Sequence, residues 1–273
     1  GWFTPLGIKV AWLASSVKKK DKLAVYSALT QHEVHIVVGT HALIQDAVQF
    51  DDLGLAVIDE QHRFGVGQRL ALRRKMNESV QSQIKPQYDA PHQLMMSATP
   101  IPRTLALSYF ADLDVAILDE LPPGRTPIVT KLIDQSRRHE VVDKVAQEVS
   151  KGEQVYWVCP LIEESEALEL QTAIDTHGAL VATLPELNIG LVHGRMSAQE
   201  KRDVMAEFVA GRIQILVATT VIEVGVDVPN ASWMVIEHAE RFGLSQLHQL
   251  RGRVGRGALQ STCVMLFEKP LSA

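Results

Sequence analysis

The chain has 273 residues, 46% hydrophobic and 22% charged, with a formal net charge of −5. That length and composition suit two ordinary α/β domains, and no apolar run approaches the roughly 18–20 residues of a membrane span. Residues 1–125 hold 13 basic and 13 acidic residues, net 0, while residues 126–273 hold 14 and 19, net −5. This excludes a global basic field, so any nucleic-acid contact must come from local patches and backbone amides. The two cysteines, Cys159 and Cys263, each lie in an apolar strand-like run, which reads as buried free thiols in a reducing compartment. The ten histidines show no metal-ligand spacing, so no zinc is expected. The chain opens Gly1-Trp2-Phe3-Thr4 beside an apolar run, with no methionine and no signal peptide, and reads as a piece of a longer protein.

In chain order, Gly7–Leu13 reads as a strand and Lys18-Lys19-Lys20-Asp21-Lys22 opens a helix to about Leu29. That lysine run could grip phosphates, although a solvated helix face is the commoner origin of such a pattern. Val34–His41 reads as a buried strand ending in Gly-Thr-His, where Thr40 could bond a phosphate oxygen or cap the next helix. Leu55-Ala56-Val57-Ile58 then runs straight into Asp59-Glu60-Gln61-His62. A buried parallel strand delivers polar side chains in this way to its carboxyl end, where ligands of open α/β sheets sit. An Asp-Glu pair suits phosphate hydrolysis, one carboxylate holding Mg²⁺ and the other orienting the attacking water. Residues 77–92 read as a polar loop. Leu94–Thr99 reads as a further strand stopped by Pro100 and Pro102, with a helix from about Arg103, and Asp114–Leu118 as a last short strand. Asp119–Pro127 holds three prolines and a glycine in nine residues, a stiff connector and a domain boundary. The expected division is therefore 1–118, a linker at 119–127, and 128–273.

The second half alternates again. Strands are expected at Ile128–Ile133, Gln154–Cys159, Asn188–Met196, Ile213–Ala218, Trp233–Ile236 and Thr262–Phe267. A helix is expected at Arg137–Ser150, and another opens with Glu163-Glu164-Ser165-Glu166, where acids complement the amino-terminal dipole. Ser197 with Glu200 three residues on forms a capping box. Leu244, Leu247, Leu250 and Val254 recur at helical spacing. Gln249-Leu250-Arg251-Gly252-Arg253-Val254-Gly255-Arg256 places two Gly-Arg pairs three residues apart. Guanidinium groups bind phosphate oxygens in a bidentate fork, and an arginine finger offsets charge in phosphoryl transfer.

With these stretches in hand, the chain resembles the tandem RecA-like motor of the superfamily-two helicases. Asp59-Glu60-Gln61-His62 resembles motif II, Ser97-Ala98-Thr99-Pro100 motif III, Thr219 to Asp227 motif V and Gln249 to Arg256 motif VI, in the family's order. Longer stretches resemble its branch-migrating DNA helicases, among them Asp59–Val66, Ala98–Ala106, Asp119–Pro127, Leu161–Glu166, His193–Met196 and Val221–Asn230. The transcription-repair coupling translocases share much of this set, but their motif II usually reads Asp-Glu-Glu-Gln.

The resemblance implies two RecA-like parallel-sheet domains in tandem, the first incomplete, using ATP and Mg²⁺. Asp59 and Glu60 would serve the metal and the attacking water. Gln61 and His62 would sense the γ-phosphate and couple it to Ser97 and Thr99. Gly225, Asp227 and Gln249 would lie at the nucleotide, with Arg253 or Arg256 as finger. Thr40, Arg103, His193 and Thr219 would contact a strand backbone. The implied parent remodels forks and four-way junctions in recombination and repair, in the bacterial cytoplasm, as a monomer, with single-strand-binding protein as a further partner. A nucleotide motor also needs a Gly-rich loop ending in Lys-Ser/Thr, and no Gly-Lys pair occurs in this sequence. Residues 1–273 by themselves are therefore expected to show negligible ATPase activity. A coupling-type duplex DNA translocase, or a RecA-like pair that binds nucleic acid without turnover, stands as the alternative.

Overall fold

The structure is a computed structural model that describes residues 2–60, 67, 91–97, 114–121, 124–160, 166–219, 228–255, 257 and 260–269. The chain forms two compact units, Gly1–Pro100 and Ile101–Ala273.

In the first unit β1 (Val10–Leu13) leads through α1 (Lys19–Thr30) to β2 (Ile36–Gly39), and the two strands pair in parallel, with Leu13 opposite Gly39. A helix between parallel neighbours is the crossover that such pairing requires. A Cβ on Gly39 would lie 2.0 Å from the Leu13 carbonyl oxygen, so glycine is the residue that lets the strand ends approach here. β3 (Leu55–Ile58) and β4 (His92–Met95) form a second parallel pair. Leu13, Leu29, Ala42 and Val48 form the buried core beside the first pair.

The second unit is built on a six-stranded, all-parallel sheet. Its strands are β5 (Val129–Asp134), β6 (Gln154–Val158), β7 (Ile189–Val192), β8 (Ile215–Ala218), β9 (Ala231–Ile236) and β10 (Thr262–Phe267). Their spatial order is β5-β10-β9-β6-β8-β7. The helices are α2 (Arg138–Val149), α3 (Glu166–Thr183), α4 (Ala198–Val209) and α5 (Leu244–Arg251). Period-2 alternation divides the strand side chains between two cores. Val155, Trp157, Ile215, Val217, Val235 and Val264 pack with Val141 and Val145 of α2 and Ala173 and Leu180 of α3. Tyr156, Val158, Leu216, Met234 and Met265 pack with Met205 and Phe208 of α4 and Leu250 of α5. Helices on both faces explain why β6, β8 and β9 are near-continuous apolar runs.

Most expected elements stand within a residue or two of their expected bounds. Ser197 and Glu200 close a capping box at α4, the Ser197 amide donating to Glu200 Oε2 at 2.7 Å. Cys159 and Cys263 are free and buried, and burial pushes both thiols up to about 12. Two expectations need correction, the strand at 114–118 and the extent of the helix at Leu244–Val254. Residues 114–118 form no strand: Val115, Ile117 and Leu118 are all exposed, and an extended apolar run without a pairing neighbour is not a strand. Leu244 is the exposed first residue of α5 and not part of its buried face. Helix α5 stops at Arg251, so Val254 lies beyond it, before Gly255 at φ +80°. The joint expected at 119–127 falls inside the second unit. Residues 77–90 of the polar loop expected at 77–92 and the helix expected from Arg103 lie outside the described residues, and His92 already opens β4.

Candidate functional site

Each unit collects polar groups where its parallel strands end, the edge at which open α/β sheets bind ligands. In the first unit β3 delivers Asp59 and Glu60. Met96 donates its amide to the Ile58 carbonyl at 2.8 Å, so Ser97 follows on the neighbouring strand at the same edge. Asp59, Glu60 and Ser97, named from sequence alone, are thus brought together. Glu60 holds a left-handed backbone at φ +49°, and its amide donates to Asp59 Oδ1 at 2.8 Å. A non-glycine residue in that region is uncommon and concentrates at functional sites. The turn exposes Asp59 and leaves Glu60 half-buried. Two carboxylates fit Mg²⁺, which takes one or two of them along with water and substrate phosphates. No group of three or more metal-ligating side chains occurs among the described residues.

Thr40 ends the other strand pair. Its amide donates to the Leu13 carbonyl at 3.2 Å, and its exposed side chain makes no capping hydrogen bond to the short 3₁₀ turn at His41–Ile44. The hydroxyl is therefore not consumed as a helix cap.

In the second unit β7 and β8 bring His193 and Thr219 together, the Thr219 amide donating to the Val192 carbonyl at 3.2 Å. Thr219 Oγ1 and His193 Nδ1 are both buried without a hydrogen-bond partner among the described residues. Buried polar groups are nearly always paired, so two orphans on adjacent strand ends point to a ligand that the pair would serve. Lys201 and Arg195 stand close by, Lys201 Nζ donating to the Gly194 carbonyl at 3.0 Å. Burial first, then the charges of Lys201 and Arg195, hold the His193 imidazole below its ordinary value, with Glu200 opposing. The result is a small cationic rim around two unsatisfied polar atoms, which suits an anionic oxygen.

Gln249 on α5 and Arg253 just beyond it are half-buried, while Val254 is anchored in the core. Gly255 and Gly257 are needed for tight backbone packing: a Cβ on Gly257 would lie 2.6 Å from the Pro229 carbonyl oxygen, and one on Gly255 3.0 Å from Ile128. The glycines thus fit a segment that presents arginine from a closely packed turn. Gln61, His62, Thr99, Arg103, Gly225, Asp227 and Arg256 lie outside the described residues.

One cluster was missed from sequence. Glu237, directly after β9, is 3% exposed. Its Oε1 accepts from Arg138 Nε at 2.7 Å and Trp157 Nε1 at 3.0 Å, and its Oε2 from Gln135 Nε2 at 2.9 Å. The Arg138 guanidinium also lies 5.1 Å from the Trp157 ring centroid. The sequence carries a signal for it: an acid immediately follows the apolar run Trp233-Met234-Val235-Ile236, the same pattern as at Asp59.

Comparison with known proteins bears on the whole chain. Residues 1–107 match the DEAD/DEAH box helicase model, and residues 137–258 match the helicase conserved C-terminal domain. The ATP-dependent DNA helicase RecG of Escherichia coli (strain K12) is 58% identical over 99% of this chain, and that of Aquifex aeolicus (strain VF5) 52% identical over 95%. This chain spans 38% of the first of these relatives and 31% of the second. The structure of RecG bound to a three-way DNA junction superposes with a TM-score of 0.68 at 43% identity, covering 98% of this chain and 33% of that one. The helicase MrfA bound to DNA reaches the same TM-score at 18% identity, a likeness of fold alone. Two helicase models together span most of the chain, and RecG helicases are similar to it across nearly all of its length, with α/β units of the RecA-like kind.

Proposed function

We propose that this chain is the motor segment of an ATP-dependent helicase or translocase that remodels branched DNA, forks and four-way junctions, in recombination and repair. The observation that carries the reading is the pairing of chemistry with placement: an Asp59-Glu60-Ser97 edge in one unit and a Thr219-His193 edge in the other, on a chain 58% identical to a RecG helicase. The coupling-type translocase is not favoured, since relatives at 50–58% identity carry the RecG name.

In this reading Asp59 would hold Mg²⁺, which would supply charge neutralisation at the phosphates, and Glu60 orients the attacking water. Gln61, His62, Ser97 and Thr99 form the sensing wall. Gly225, Asp227, Gln249, Arg253 and Arg256 serve the nucleotide, an arginine acting as finger. Thr40, Arg103, His193 and Thr219 contact the phosphodiester backbone of one strand. A single-strand-binding protein partner, a monomeric state and a bacterial cytoplasmic setting belong to the same proposal.

The test is fork-stimulated ATP hydrolysis by the natural full-length protein. Glu60→Gln and Arg253→Ala are each expected to lower the stimulated rate by about 10²-fold or more, as loss of a positioned base or a finger does, with the thermal unfolding midpoint held. Thr219→Val is expected to weaken fork binding while leaving the DNA-independent rate in place. Full stimulated activity in Glu60→Gln would overturn the assignment.

A further inference from the structure

The lysine run at the start of α1 is explained neither by the fold nor by the sites above. Lys18, Lys19 and Lys20 are exposed, and among the described residues none forms an ion pair. Asp21 is the only acid in the first turn of the helix. Lys22 reaches back to donate to the Ser15 carbonyl at 3.0 Å, which ties the lysine-bearing turn to the loop leaving β1. Helix packing does not require these lysines, because the buried and half-buried contacts of α1 come later, at Val25, Tyr26 and Leu29.

Their position is electrostatically poor. The first turn of a helix carries partial positive charge and favours acids, so cations there cost stability, and four lysines in five residues also repel one another. Lys18 stands at the N-cap position without a side-chain capping bond, where Ser, Thr, Asp or Asn would stabilise the helix. An arrangement that works against the folded state calls for an anionic partner.

The topology supplies the place. β1 and β2 are parallel neighbours, so the loop from Ala14 to Lys18 and the Thr40 turn leave the same sheet edge side by side, joined by the Thr40 amide to the Leu13 carbonyl. That edge presents the exposed residues Ser15, Ser16 and Thr40 next to the lysines. Hydroxyl donors interspersed with cations match the spaced monoanions of a nucleic-acid backbone, which takes most of its protein hydrogen bonds from these side-chain types. A chain of net charge −5 that concentrates four lysines here has a local cationic track, not a general basic surface.

We propose that Lys18, Lys19, Lys20 and Lys22, with Ser15 and Ser16, form a phosphodiester-backbone contact that extends the Thr40 edge along the DNA. This rests on the reading that the parent protein acts on DNA, and adds residues to which that reading gives no role.

The experiment uses the natural full-length protein, a forked duplex and fluorescence anisotropy across a salt series. The triple variant Lys18→Gln/Lys19→Gln/Lys20→Gln should reduce the slope of log K against log salt by about 2 to 3, at roughly 0.9 per phosphate contact. It should also weaken binding on the order of 10- to 100-fold at 0.1 M salt. Lys→Arg at the same three positions should restore both. The thermal midpoint of the Gln variant should hold or rise, since the dipole conflict is relieved. An unchanged slope and affinity in the Gln variant, with wild type binding normally, would overturn this contact and leave the DNA reading standing. A wild-type protein that does not bind the fork would overturn both. Should the triple variant fold poorly, Lys19→Gln and Lys20→Gln singly should each lower the slope by about 1, and no change in either counts against the contact.

Discussion

Trp12 and Trp157 occupy comparable positions, each on a short parallel strand, one in each unit. Trp157 is 0% exposed and Trp12 is 55% exposed. The difference lies in the neighbours. β6 is flanked by β8 and β9 and covered on the Trp157 face by α2 and α3, and its indole N–H donates to Glu237. β1 has the single described neighbour β2. A parallel strand becomes a core element only when both edges are paired and both faces are covered. Among the described residues the second unit meets that condition and the first meets it in part. Both nevertheless place their chemistry at strand ends, because side-chain delivery at a carboxyl edge depends on local pairing, not on the completeness of the sheet.

Exchanging each tryptophan breaks this comparison most sharply. Trp157→Ala should cost about 3–5 kcal/mol, the range for a fully buried aromatic, and take one hydrogen-bond donor away from Glu237 Oε1. Trp12→Ala should cost about 1 kcal/mol or less, as partly exposed sites do. Chemical denaturation of both variants checks this, and equal losses would mean that the first unit buries Trp12 in solution.

Helix starts offer a smaller contrast. Ser197 caps α4 with a full capping box, whereas Lys18 gives α1 no side-chain cap. Ser197→Ala should lose about 1 kcal/mol, and Lys18→Ala should leave stability unchanged or slightly higher.

The smallest effect is on pH. His193 titrates below its ordinary value of 6.5 because of burial and nearby cations. The unfolded chain therefore binds this proton more readily than the folded one. The contribution to stability is fully present above 6.5 and is lost as pH falls through that value toward the lower folded one. His193→Gln should flatten the unfolding midpoint as pH falls from about 7 through the ordinary imidazole value of 6.5.

Much of the site was legible before any coordinates. Asp59-Glu60 stands out because an apolar run that stops at a polar residue marks a strand end, and strand ends are where α/β sheets bind, whereas Thr219 was given its role only by the resemblance to motif V. Glu237 carries the same mark after β9 and was passed over, because nothing in the sequence told that its partners Arg138 and Trp157, about eighty to a hundred residues earlier, would converge on it. Residues 114–118 read as a strand because periodicity records what a segment could bury, not whether a neighbour is there to pair with it.

Composition, the alternation of apolar runs with helical periods, and the order of the polar strand ends determined the class of fold, the capping box at Ser197 and the candidate catalytic acids. These follow from local chemistry repeated along the whole chain. Only the tertiary structure decided the strand order β5-β10-β9-β6-β8-β7, the meeting of His193 with Thr219 and their unsatisfied atoms, and the placing of the α1 lysines beside Thr40. Those depend on which distant strands become neighbours, a choice made by the summed burial of two sheet faces and carried by no single stretch of sequence.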